Sequence, residues 1–118
     1  MTVKRATRVA ERMRDELAAQ IRTLNDPRVQ GAIVSRVEMP DDLSFARVFV
    51  RHELGVADAK LAKAMLQGLS SASNRMKKEI AKTLGLRRTP DLKFHYDEAP
   101  DKLSRIEEVL REIKRGDG

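Results

Sequence analysis

Apolar residues recur at intervals of three and four along the start of the chain. Ala6, Val9, Met13, Leu17, Ile21 and Leu24 share one face, which predicts a helix from about Lys4 to Leu24. Asn25, Asp26 and Pro27 end it, because a residue before proline is pushed out of the helical region. The period then changes to two. "AIVSRVEM" (32–39) is rich in β-branched residues, "PDDL" (40–43) carries turn chemistry, and "SFARVFVRH" (44–52) alternates. In that last run Ala46, Val48 and Val50 point one way, and Phe45, Arg47, Phe49 and Arg51 the other. These features predict a β-hairpin.

Helical spacing returns after Asp58, a candidate N-cap, with Leu61, Met65, Leu69 and Ala72 on one face. It resumes in Met76, Ile80 and Leu84, and Gly85 suits the helix end. Between the two sets lies "SSASN" (70–74), whose serines and asparagine prefer caps and turns. The phasing is kept across it, which predicts a sharp bend at Ala72-Ser73-Asn74 rather than a long loop. Ser73 or Asn74 would cap the second half and present free N–H groups to a phosphate, beside Arg75 and Lys78. "LKFHYD" (92–97) reads as a third strand with Leu92, Phe94 and Tyr96 in the core. A final helix is predicted from Asp101, with Leu103, Ile106, Leu110 and Ile113 as its apolar stripe. The order α-β-β-α-α-β-α, with helices covering a three-stranded sheet, is an α+β layered fold. It forms one domain over residues 1–100, and residues 101–118 are a helix and tail of the same domain.

Composition narrows the function. A chain of 118 residues, 41% hydrophobic, can build one core, and it has no run of about 18 apolar residues to span a membrane. The N-terminus lacks the apolar stretch of a signal peptide. Zero cysteines exclude disulfides, thiolate metal sites and cysteine nucleophiles, and a cytoplasmic location is expected. His52 and His95, the two histidines, have no metal-ligand spacing, and Asp41-Asp42 and Asp97-Glu98 are accounted for by a turn and a strand end. With no phosphate-binding loop or nucleophile motif, a non-catalytic protein without metal or cofactor is expected.

Basic residues outnumber acidic ones by 24 to 18, a net charge of +6 that favours a polyanionic partner. Arg5, Arg8 and Arg12 fall within an arc of about 60° on the first helix, away from its apolar stripe. Arg75, Lys78 and Lys82 share a face of the later helix, and Arg87 and Arg88 follow in the connection. Such stripes are either solvated helix faces or phosphate contacts. Read as contacts, they include Ser73, Asn74 and Lys77 within the same segment, and the two stripes are expected to form one electropositive surface. Phe45 and Phe49, flanking Arg47, resemble a base-stacking platform, but packing against the last helix is the preferred reading.

Four stretches in order resemble the bacterial ribosome-binding factor A family. They are "RATRV" (5–9), "DPR" (26–28), "VEMPDDLSFARVFV" (37–50) and "LRRTPDLKFHYD" (86–97). The resemblance implies a type II KH-like fold and no catalytic activity. It further implies binding to the small (30S) ribosomal subunit and 16S rRNA in late maturation, with roles in 16S rRNA 5′-end processing and growth in the cold. An Ala-x-Gly kink marks the helix junction in that family. Here Ala72-Ser73-Asn74 stands in its place, with Asn, the non-glycine residue best suited to left-handed backbone angles, in the glycine position. A monomer is expected. The rival readings are a generic KH-like binder of single-stranded RNA and an interaction module dimerising through the last helix.

Overall fold

The computed structural model describes residues 4–55 and 58–98. The predicted last helix and tail lie outside these residues. The first helix, α1 (Arg5–Arg22), carries no β-branched run and buries Ala6, Val9, Ala10, Met13, Leu17 and Ile21. It ends at Thr23, whose hydroxyl donates to the carbonyl of Gln20 at 2.7 Å. Asp26 then caps a 3₁₀ turn (Pro27–Val29), accepting from the Arg28 amide at 2.9 Å.

Strands β1 (Ala32–Glu38) and β2 (Phe45–His52) form the expected antiparallel hairpin. The register slips between Val34 and Arg36, so Ser35 is extruded as a bulge. In the hairpin turn the Leu43 amide donates to the Pro40 carbonyl at 3.0 Å, and Leu43 adopts φ 58°. Strand β3 (Asp91–Tyr96) pairs parallel to β2, so the sheet order is β1-β2-β3 with β2 in the centre. Beyond it Asp97 is buried; its carboxylate accepts from the Ser35 hydroxyl at 2.7 Å and its amide donates to the Val50 carbonyl at 2.7 Å. Sequence reasoning treated Asp97 as a strand end. It ties the end of β3 to the bulge of β1, across β2.

The expected helix junction is corrected. A single helix, α2, runs unbroken from Ala59 to Leu84. It begins at Asp58, which accepts from the Lys60 amide at 2.9 Å as anticipated, and ends at Gly85 with φ 65°. Asn74 is helical, since Leu43 is the one non-glycine residue with positive φ among those described. The Ser71 and Ser73 hydroxyls donate back to the carbonyls of Gln67 and Ser70, at 3.0 and 2.7 Å, instead of capping a new helix. Magnitudes explain the continuity. Three serines and an asparagine forfeit about 2 kcal/mol of helix propensity relative to alanine. Burial of Met65, Leu69, Met76 and Ile80 on both sides of the stretch contributes about 6 kcal/mol or more. Tertiary burial wins.

Both helices lie on the sheet face that carries Ala46, Val48 and Val50, all fully buried. Leu92, Phe94 and Tyr96 join this core as predicted. Phe45 and Phe49 do not, because register places them on the opposite face. The segment expected to cover them, 103–113, lies outside the described residues.

Candidate nucleic-acid interface

Chain direction places the two basic stripes. The N-terminal half of α1 lies beside Arg36–Met39, at the hairpin-turn end of β1. Helix α2 starts after β2 and ends before β3, so its C-terminal half approaches the same end of the sheet. At the other end, Leu24–Asp26 meets Gly68, Ser71, Ala72 and Arg75. The helices are therefore antiparallel neighbours in one layer. Arg5, Arg8 and Arg12 are all exposed on α1, and Asn74, Arg75, Lys78 and Lys82 on α2. The α1 set, and Lys78 and Lys82 of α2, lie away from the buried stripe of their own helix, whereas Arg75 follows the line of buried Gly68 and meets Leu24–Asp26. Exposed Glu11, Asp15 and Glu79 interrupt them.

Two residues of the predicted site turn aside. Ser73 is half-buried and its hydroxyl is engaged by Ser70. Lys77 is turned toward β3, with its ammonium 3.1 Å from the Asp91 carboxylate. Ala72 packs against the core. No helix begins at 72–74, so the expected fan of free N–H groups beside Arg75 does not form. Arg87 and Arg88 are exposed in the α2–β3 connection. Arg88 stands near the hairpin turn. The Asp42 carboxyl there is held below its usual range by hydrogen bonds from Ser44, with a smaller contribution from the Arg88 charge. Arg5 and Arg8 of α1, Lys82 of α2 and the Arg87-Arg88 connection thus lie toward the hairpin-turn end, whereas Arg75 lies toward the other end, beside Leu24–Asp26.

The hinge of this layer is Asp26-Pro27-Arg28. The Arg28 guanidinium folds back onto Asp26 at 2.7 Å, and the turn seats Val29 against Gly68 of α2. A Cβ on Gly68 would come within 2.7 Å of Val29 Cγ1. A glycine inside a helix is otherwise unfavourable, and here it permits close approach.

Sequence reasoning passed over Arg36 and Lys93, and weighed His95 only as a metal ligand. Alternation in "LKFHYD" already set Lys93 and His95 opposite Leu92, Phe94 and Tyr96. Only the parallel register with β2 brings them beside Phe45 and Phe49.

Comparison with known proteins decides the family. The sequence model of ribosome-binding factor A matches residues 5–110. The chain belongs to the ribosome-binding factor A family. Ribosome-binding factor A of Sorangium cellulosum is 57% identical over 114 residues, covering 97% of this chain and 92% of that protein. The Trichlorobacter lovleyi member is 36% identical over 117 residues, covering 98% and 93%. Among solved structures, the crystal structure of ribosome-binding factor A from Thermus thermophilus matches with a TM-score of 0.67 and 26% identity, covering 77% of this chain and 94% of that one. A Thermus thermophilus ribosome-binding factor A model fitted into the cryo-EM map of its complex with the 30S subunit matches with a TM-score of 0.62 and 27% identity, covering 79% and 96%.

Proposed function

We propose that this chain is a non-catalytic assembly factor that binds the small ribosomal subunit, with 16S rRNA as the molecule it touches. The observation that carries the reading is the match of nearly the whole chain to ribosome-binding factor A, one of whose members was fitted into a 30S complex. The location is the cytoplasm, where subunits are assembled, and the protein acts as a monomer during late maturation. Supporting 16S rRNA 5′-end processing and growth in the cold are the finer parts of the proposal. Among the described residues no helix is long and apolar enough to cross a membrane.

Arg5, Arg8, Arg12, Arg75, Lys78 and Lys82, with Asn74, Arg87 and Arg88, are the proposed contacts. Their exposure and shared layer support them. Exposed cations gain by neutralising phosphates, and arginine does so bidentately.

Co-sedimentation with purified small and large subunits across a salt series tests the proposal. Binding to the small subunit alone, weakening steeply as salt rises, is expected. Equal binding to both subunits, or to any single-stranded RNA with no preference for the subunit, would reject the assembly-factor reading.

A further inference from the structure

The sheet face turned away from the helices carries aromatic rings and cations rather than solvating polar groups. Register places Arg36 beside Phe49 and Phe49 beside His95 in one row across the strands. The next row along holds Glu38, Arg47 and Lys93, with Phe45 one step further on β2. The Phe49 and His95 rings stack with centroids 5.4 Å apart and an interplanar angle of 29°. The Arg36 guanidinium lies 3.9 Å over the Phe49 ring, and the Lys93 ammonium 4.3 Å over Phe45. Phe45 and Phe49 are half-buried, whereas Arg36, Arg47, Lys93 and His95 are exposed.

The charge is unbalanced. Glu38 pairs with Arg36 at 3.2 Å, and Asp91 is drawn off to Lys77 on the helix side. Among the described residues Arg47 and Lys93 have no ion-pair partner. We infer that this face, left uncovered by the described helices, is a second nucleic-acid surface, on which unpaired RNA bases stack at Phe49–His95 and at Phe45, with Arg47 and Lys93 on the intervening phosphate. It rests on the RNA-binding reading above for the class of ligand, and on different residues for the site.

Spacing fits this occupant. Phe45 and Phe49 are four residues apart on one strand, about 13 Å along it. That separates two stacking stations by roughly the reach of one extended nucleotide step or two. An aliphatic helix face suits the surface poorly. It would have to cover cations already seated over the rings and strip their water without replacing it. A base stacks on the Arg36 guanidinium plane over Phe49, or on the Phe45 ring once its phosphate draws the Lys93 ammonium aside, and the phosphate neutralises that charge.

The full chain, labelled with ¹⁵N and with assigned resonances, is titrated with a short single-stranded oligoadenylate. Amide shifts at Arg47, Phe49, Lys93 and His95 are expected. The double substitution Phe45→Leu with Phe49→Leu keeps apolar volume and removes the rings. It is expected to weaken oligoadenylate binding about tenfold or more, with the melting temperature nearly unchanged. A Phe49→Trp variant keeps an aromatic ring and should bind as the parent does, with indole emission quenched as bases stack. Shifts confined to α1 and α2, or an affinity indifferent to the Leu pair, would overturn the inference and leave the helical surface standing. Nuclear Overhauser contacts in the free chain between the Phe45 and Phe49 rings and Leu or Ile methyls of 103–113 would also overturn it, because the face would already be covered. No oligoadenylate binding, with small-subunit co-sedimentation retained, would overturn the second surface alone. Loss of both would overturn the proposed function with it.

Discussion

Asn74 shows how a residue's identity and its backbone state separate. Its type suggests a left-handed angle or a cap, yet it is exposed and helical within α2. The tolerance expected of a left-handed site is therefore reversed. Asn74→Ala should stabilise the fold by about 0.5 kcal/mol, and Asn74→Gly should destabilise it by a few tenths, since only propensity changes. Thermal unfolding of the two variants checks the order; a more stable glycine variant would show that the backbone needs freedom there. Asp26 makes a pH-dependent contribution. Hydrogen bonds from the Arg28 side chain, and then from its amide, hold the Asp26 carboxyl below its ordinary value, and raise that of Arg28 in turn. A carboxyl depressed in the folded state stabilises fully above its unfolded value, near 3.9, and loses that effect as pH falls through the folded value. Asp26→Asn should thus lower the melting temperature at neutral pH and lose less of it on acidification from about pH 5 to about pH 2. Parallel acid limbs for parent and variant would remove the Asp26–Arg28 pair from the account.

At the scale of elements, helices and strands were legible because each buries one face and repeats apolar residues at its own period. Asp58 and Gly85 bounded α2 where turn and cap chemistry placed them. The serine-rich stretch misled because propensity is local. Met65, Leu69, Met76 and Ile80 are fully or almost fully buried on both sides of it, and that constraint appears only when the sheet is present. Register was equally out of reach, since no local pattern says which strand β3 joins or that Ser35 bulges. The site was legible in the same proportion. Charge periodicity found the exposed arginines, but not that Lys77 turns to Asp91 or that Lys93 meets Phe45. Gly68 illustrates a contact that sequence cannot weigh. In an ordinary helix interior, Gly→Ala gains about 1 kcal/mol. Here the added methyl meets Val29, which is 2% exposed, and overpacking of this kind costs about 1–3 kcal/mol. Gly68→Ala should therefore be net destabilising, by about 1 kcal/mol. The penalty should shrink when Val29→Ala makes room, and strict additivity in chemical denaturation of the double variant would show that the two do not touch.

For the whole molecule, the layered fold divides the surface into a helical side with two arginine and lysine stripes and a sheet side with aromatic rings. The stripes lie on neighbouring helices because α1 and α2 run antiparallel over one sheet face, with Lys82 nearest the Arg5 end and Arg75 toward the other. A single rRNA element lying across both helices would then neutralise both sets at once. Two triple variants separate this from independent contacts: Arg5→Ala, Arg8→Ala and Arg12→Ala in one, Arg75→Ala, Lys78→Ala and Lys82→Ala in the other. All six side chains are exposed, so neither variant should lose more than about 0.5 kcal/mol of stability per site. Each phosphate contact contributes about 0.7–0.9 to the slope of log affinity against log salt, depending on whether the RNA is single- or double-stranded. Both variants should bind the small subunit more weakly and with a shallower slope, by about two in each if all three cations of a stripe meet phosphates. A shallower slope in one variant, with the other indistinguishable from the parent, would confine the interface to a single helix. It would then leave the second stripe as a solvated face, held out of the contact despite its position beside the first.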